Sequence, residues 1–273
     1  MNTIPEDTAE DATHSFVVPA YKQSPYLESC LASLAEQTRR SPIVISTSTP
    51  FAGLDDLARK YGARVHVHGP NRGIAHDWSV AVASAGSPWV TIAHQDDVYL
   101  PHFAERTVRA LERSPAAALA FTGYAEVAGS AVRKRSTMLW IKVLLLELAF
   151  WGRCEVKSRW SKTNALRFGC PIPCPAVTLR RDIADGIFDP SYTVNLDWSA
   201  WLKLARERTA GGFVYIRETL MLHRIHADSA TTEGISGGAR ASEDERIFRQ
   251  LWPAGMARLI ANFYRMAYKG NSL

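Results

Sequence analysis

The sequence predicts an α/β fold with a mostly parallel sheet covered by helices on both faces. Two observations predict it. Strand-like and helix-like segments alternate in the order β-α-β-α-β-α-β through residues 15–94. The connections between them are short, so each helix must pack back onto the sheet that its neighbouring strands build.

Taken in order, SFVVPAY (15–21) is a short apolar run ending in proline and reads as the first strand. YLESCLASLAEQT (26–38) sets Leu27, Cys30, Leu31 and Leu34 at helical spacing. PIVIST (42–47) is β-branched and strand-like. FAGLDDLARKYG (51–62) is helical and closes on a glycine of C-cap type. RVHVHG (64–69) alternates with period two, GIAHDWSVAVASAG (73–86) is helical, and WVTIAH (89–94) is a strand. PHFAERTVRALER (101–113) predicts a helix with proline in its first turn, and AALAFTGYAEVAG (117–129) a strand. MLWIKVLLLELAFWG (138–152) is apolar almost all round, which fits a buried helix or one lying on lipid or a partner. NLDWSAWLKLARE (195–207) is amphipathic, FVYIRETLMLHRIH (213–226) reads as one or two strands, and GISGGARAS (234–242) as a flexible linker. The C-terminal segment predicts two helices broken at Pro253, with Met256, Leu259, Ile260, Phe263, Tyr264 and Ala267 on one apolar stripe.

The polar, acidic residues 1–14 are not a signal peptide and predict a disordered tail. No apolar run reaches the roughly 18 to 20 residues that span a bilayer, so the cytoplasm is the expected location. The cysteines are Cys30, Cys154, Cys170 and Cys174; a single C-x3-C pair is a poor zinc signature, and reduced thiols are expected. Residues 131–169 carry nine basic residues against two acidic ones, which leaves the remainder of this +5 chain slightly acidic. That segment fits an anionic partner, phosphate or a membrane surface, or an ordinary solvated loop. Nucleic acid is not an expected partner.

In parallel sheets ligands bind beyond the carboxyl ends of the strands. The rule sets Pro19-Ala20-Tyr21, Ser46-Thr47-Ser48 and His94-Gln95-Asp96-Asp97 on one rim. Two hard oxygen ligands at a strand's carboxyl end suit Mg2+ or Mn2+ held against a diphosphate; the competing reading is a cap for the helix near Pro101. Asp197, flanked by Trp198 and Trp201, suits a general base with a pKa raised by desolvation, or again a cap. His223 and His226 bracket Arg224, a pattern that fits a metal ligand beside a phosphate-binding guanidinium, or merely satisfied polar groups. G-x-G-x-x-G, Walker and G-x-S-x-G motifs are absent, which sets aside dinucleotide, P-loop and serine-hydrolase chemistry.

In their order these pieces resemble a family 2 glycosyltransferase of the GT-A fold. SFVVPAYKQSPYLESCLASLAEQT is similar to that family's opening strand and helix, PIVISTSTP to its second strand, NRGIAHDW to its asparagine-x-glycine turn and HQDDVYLP to its metal-binding D-x-D. LDWSAWLKLA resembles the helix carrying the catalytic base, and LMLHRIHADSATT the late arginine/histidine segment near the diphosphate. Two departures stand out: Ser46 and Thr47 replace the aspartate that usually ends the second strand, and His94 replaces the first acid of D-x-D.

The resemblance implies inverting transfer of a sugar from a nucleotide-diphosphate sugar to an acceptor hydroxyl, of the hexosyltransferase type, in surface polysaccharide or lipid-linked glycan synthesis. It implies Asp197 as catalytic base and Asp96, Asp97 and His226 as ligands for Mg2+ or Mn2+. Pro19, Ala20, Tyr21, Ser46, Thr47, Asn71, Arg72, Gly73, Asp77, His94, Gln95 and Arg224 would contact the donor. Residues 15–129 would then form the nucleotide-sugar half, 130–240 the acceptor-side half with the base, and 241–273 C-terminal amphipathic helices. The acceptor would be a glycan or lipid-linked; apart from the resemblance, the basic segment, the apolar 138–152 helix and the C-terminal stripe fit peripheral attachment to the inner face of an anionic membrane. Two other readings compete: a glycoside hydrolase using Asp97 and Asp197, and a non-catalytic sugar- or nucleotide-binding module.

Overall fold

The computed structural model describes residues 12–129, 131–133, 137–226 and 238–269. The bulk of the predicted tail and the predicted linker residues 234–237 lie outside them. The strands are β1 (His14–Pro19), β2 (Ile43–Thr47), β3 (Ala63–Val67), β4 (Trp89–Ile92), β5 (Val98–Tyr99), β6 (Ala117–Ala128), β7 (Ala131–Arg133), β8 (Glu155–Val156), β9 (Val177–Arg180) and β10 (Gly212–Arg224). The helices are α1 (Leu27–Ala35), α2 (Leu54–Lys60), α3 (Ile74–Ala83), α4 (Phe103–Glu112), α5 (Thr137–Phe150), α6 (Arg159–Ala165), α7 (Leu196–Arg206), α8 (Ala239–Leu251) and α9 (Ala254–Lys269).

The central sheet has the order β3-β2-β1-β4-β9-β6-β10-β5, with β7 added to β6 and β8 to β10. β1, β2, β3 and β4 are mutually parallel, and β9 runs antiparallel to both β4 and β6. Since β10 is parallel to β6, all strands of the central order except β9 and β5 point the same way. The mostly parallel α/β architecture is therefore as the sequence predicts.

Period-two alternation in β1 explains the layers on either side of it. Phe16 and Val18 join α1, α2 and α4 through Leu27, Leu31, Leu34, Leu54 and Phe103. Val17 faces the opposite layer, with Trp78 of α3, Leu146 of α5 and Trp198 and Trp201 of α7. Both α7 indoles are buried and satisfied: Trp198 Nε1 donates to the Leu166 carbonyl at 3.0 Å and Trp201 Nε1 to that of Ile172 at 3.1 Å. Each ring is an anchor whose loss costs on the order of 3 to 5 kcal/mol.

Several sequence expectations are corrected. Pro101 precedes α4, whose N-cap is His102, because the Pro101 carbonyl is bonded by the Thr38 amide at 2.8 Å. Residues 239–242 are the first turn of α8, following Gly238 at φ +75°, so the helix begins inside the expected linker. The apolar stripe of α9 is split. Ala257 and Ala261 are buried and Ile260 and Tyr264 pack on the core, while Met256, Leu259 and Phe263 face outward. Ala267 lies outside the side chains described. The basic segment is not uniformly solvated either. Lys162 is buried, donating to the carbonyls of Leu204 at 3.3 Å and Gly211 at 2.8 Å, and Lys142 donates to the Tyr124 hydroxyl at 2.8 Å. No described helix is long and apolar enough to cross a membrane.

Candidate active site

The carboxyl ends of β1, β2 and β4 are stitched together. The Ala93 amide donates to Val17 at 2.8 Å, and the Ala20 amide to Ser46 at 2.8 Å. Gln95 pairs with the Tyr21 backbone in both directions, accepting at 3.1 Å and donating at 3.2 Å. Pro19, Ala20, Tyr21 and Gln95 thus share one rim. Ser46 and Thr47 sit beneath it, each 1% exposed, while Ser48 stands above and donates to Asp77 Oδ2 at 3.2 Å. Asn71 Oδ1 accepts from the Gly73 amide at 2.8 Å, and Gly73, at φ +93°, turns the chain into α3, the helix that carries Asp77. Arg72 is exposed on that turn. Asp77 Oδ1 is buried without a hydrogen-bond partner among the described residues.

Asp96 and Asp97 share a turn and have different environments. Asp97 has no exposed surface; its Oδ1 accepts from His223 Nδ1 at 3.0 Å and from the Arg224 amide at 2.8 Å. A carboxylate only accepts, so the His223 proton is on Nδ1. Burial would lower the His223 pKa, but the Asp97 charge and hydrogen bond outweigh it and hold it above the ordinary value. Asp96 is partly open and receives His226 Nε2 on Oδ2 at 2.9 Å. Burial would raise the Asp96 carboxyl; the nearby His94, the His226 bond and His223 prevail and depress it. Arg224 donates from Nε to the Asp96 carbonyl at 2.9 Å, and its guanidinium lies 4.6 Å from the centre of the Tyr26 ring. Neither acid caps α4, which has no side-chain cap bond.

A metal centre is tested by the donors present. Ligand atoms of His94, Asp96 and Asp97 lie within 4.8 Å of one another. His94 Nε2 is buried without a hydrogen-bond partner among the described residues, its ring 5.1 Å from Trp78. One imidazole nitrogen and carboxylate oxygens fit a divalent cation such as Mn2+ or Mg2+. His226 is not one of the three converging ligands; its ring instead holds Asp96 in place, as a neighbour that orients a ligand does.

Asp197 is the second residue of α7. Its Oδ1 accepts from the Trp198 amide at 2.7 Å. Burial raises its pKa, against the Trp198 bond and the charges of Arg240 and His94. His94 acts electrostatically on both Asp96 and Asp197 and so links the two halves of the site. The N-cap of α7, Asn195, makes no side-chain cap bond. Glu243 of α8 does that work from across the chain. It accepts from the backbone amides of Thr193 at 2.7 Å, Val194 at 3.0 Å and Asn195 at 2.8 Å, and from the Thr193 hydroxyl at 2.9 Å. Asp244 accepts from Asn195 Nδ2 at 2.8 Å.

Sequence reasoning sets Ser48 on the rim without giving it a contact, and leaves out Tyr26 and the Glu243–Asp244 pair. Their one signal is position: Ser48 follows a predicted strand end, whereas the partners of Tyr26 and Glu243 lie far along the chain.

The chain matches the family described as glycosyl transferase family 2 over residues 15–177. Its fold is similar to that of S. aureus TarS 1–349, with a TM-score of 0.59 and 12% identity over 91% of this chain and 69% of that one. The similarity to TarS 1–349 in complex with UDP-GlcNAc has a TM-score of 0.56 and 14% identity, over 81% of this chain and 60% of that one. Against S. aureus TarS itself the TM-score is 0.53 at 14% identity, over 88% of this chain, which spans only 43% of that chain. At such identities the likeness speaks for the fold alone. No curated protein sequence matches the chain. The family match extends from β1 through the acid pair to the start of β9, more than half the chain, and the protein belongs to glycosyl transferase family 2.

Proposed function

We propose that the protein transfers a sugar from a nucleotide-diphosphate sugar to an acceptor hydroxyl with inversion, using Asp197 as general base. The observation that carries this reading is the convergence of His94, Asp96 and Asp97 on the carboxyl rim, braced by His223, Arg224 and His226 from β10. The ring of Pro19–Tyr21, Ser48, Asn71–Gly73 and Asp77 receives the nucleoside. Ser46 and Thr47 support it from below, since both are buried. Arg224, held over the Tyr26 ring, pairs with the diphosphate through its outer guanidinium nitrogens.

Asp197 takes the acceptor's hydroxyl proton, the oxygen bonds to the anomeric carbon from the face opposite the diphosphate, and the bond to the diphosphate breaks with its electron pair. His94, Asp96 and Asp97 would hold a divalent cation, whose positive charge offsets the charge gathering on the leaving nucleotide. His223 and the Arg224 amide hold the Asp97 carboxylate in place, and His226 does the same for Asp96. Residues of the 130–240 region supply the acceptor side, for a glycan or lipid-linked acceptor.

The test is a thermal-shift panel of nucleotide sugars with and without Mn2+, led by UDP-sugars because a TarS structure holds one. Product formation with the best binder follows. Asp197→Asn is expected to keep donor binding and lose transfer. Retained transfer in that variant removes Asp197 from its role, and a panel in which no nucleotide sugar binds rejects the reading.

A further inference from the structure

Helix α5 carries an outward face that the catalytic reading does not use. Trp140, Leu144, Leu148 and Trp151 recur at intervals of four, four and three residues, the spacing of one helical stripe continued one residue past the helix end. They are strongly exposed, Trp140 at 65%, Leu148 at 59% and Trp151 at 78%. The opposite side, with Leu139, Leu146 and Phe150, is buried. Among the described residues nothing in the packing demands apolar residues on the outside, and a solvated helix would carry charges there.

The chain that follows this stripe is mainly cationic. Arg153, Lys157 and Arg159 follow within nine residues of α5 and are exposed, and Trp160 beside them is 71% exposed. Lys157 approaches Glu155 at 3.5 Å; Arg153 and Arg159 have no ion pair among the described residues. Tryptophans at both ends of an apolar stripe, beside unpaired guanidinium groups, match the interfacial zone of a bilayer with anionic headgroups. A second copy of the chain matches poorly. A two-fold contact through this face would bring two such cationic segments into one interface.

We propose that α5 is a docking helix for an anionic lipid surface, with Trp140, Leu144, Leu148 and Trp151 immersed at the headgroup boundary and Arg153 and Arg159 against the headgroups. The inner side of the same helix reaches the site: Lys142 donates to the Tyr124 hydroxyl at 2.8 Å, and the Tyr124 ring meets that of His223, the partner of Asp97, at 6.4 Å. Docking therefore brings the acceptor side of the site to the bilayer, and an acceptor presented from lipid would reach it. This consequence rests on the proposed transferase function; the docking itself does not.

The experiment is co-sedimentation of the full chain with phosphatidylcholine vesicles, with and without phosphatidylglycerol, and reads no activity. The wild type is expected to bind the phosphatidylglycerol vesicles preferentially, with a blue shift of its tryptophan emission. Leu144→Ser/Leu148→Ser, at exposed positions, is expected to retain its melting temperature and bind about tenfold more weakly, roughly 1.4 kcal/mol. Arg153→Gln/Arg159→Gln is expected to lose the preference for phosphatidylglycerol. Equal binding by wild type and the leucine variant overturns the proposal. So does a wild type that ignores vesicles and forms a dimer abolished by the leucine substitutions, since the face then belongs to a second copy.

Discussion

The carboxylate of Glu243 receives the backbone amide of Asn195 at 2.8 Å, so a residue of α8 caps the helix that carries Asp197. An anion at a helix N-terminus is favoured by the orphan amides and the macrodipole, and here the N-cap amide of Asn195 and the two amides before it converge on the carboxylate. Glu243→Gln leaves one acceptor oxygen and turns an NH2 group toward amide donors. The expected result is a loss of about 1 to 3 kcal/mol in unfolding free energy, with a fall in transfer rate larger than any change in donor affinity. Chemical denaturation and steady-state kinetics measure the two effects separately.

The pH dependence of transfer should follow Asp197. The proposed base would act when ionised, and burial raises the pKa of Asp197. Activity is therefore lost as pH falls through a value above that of an ordinary carboxyl. A rate–pH profile whose acid limb lies at or below the usual aspartate range would contradict this assignment.

Asp244 gives a stability signature of the opposite kind. It is 2% exposed, and burial lifts its pKa from 3.8 to about 6, against the nearby Arg240 and the Asn195 bond. Between those values the folded chain binds more protons than the unfolded one, so stability falls as pH rises through the window. The shift corresponds to roughly 3 kcal/mol, fully lost above the folded pKa. Asp244→Asn removes the charge and keeps an acceptor for Asn195. Its melting temperature should exceed that of the wild type near pH 8 and converge on it near pH 4, by calorimetry at both values.

The two acids of the turn should respond differently to substitution. Asp97→Asn disturbs a buried carboxylate that serves both His223 and the Arg224 amide, and is expected to cost about 2 to 3 kcal/mol of stability. Asp96→Asn sits in a more open position and should leave the melting temperature of the protein alone nearly unchanged while abolishing the stabilisation by Mn2+. Equal stability losses in the two variants would refute the division of labour between them.

The alternating first half of the chain was legible because each strand and helix there is set by its own residues: Leu27, Cys30, Leu31 and Leu34 specify α1 without reference to anything distant. β9 was not legible, being four residues long, next to Pro173 and Pro175, and defined by pairing with β4 and β6. The same distinction runs through the site. Asp96, Asp97 and Asp197 announce themselves as acids at element boundaries. That Asp97 is sealed by His223, that His226 turns toward Asp96, and that Glu243 caps α7 depend on contacts across about 130, 130 and 50 residues of chain, and no local pattern encodes them. The inward turn of Lys142 and Lys162 was hidden for the same reason, since composition counts a lysine alike whether its ammonium meets water or a carbonyl.

The bond from the Arg224 amide to Asp97 spans 127 residues, and that length sets a clock on synthesis. At roughly 5 to 20 residues per second, the ribosome exposes Asp97 some 6 to 25 s before it supplies Arg224. Through that interval the first four strands are complete, yet the carboxylate lacks its histidine and amide and must stay hydrated. The acid pair of the nascent chain is therefore unbraced until β10, which supplies His223 and the Arg224 amide, joins the sheet.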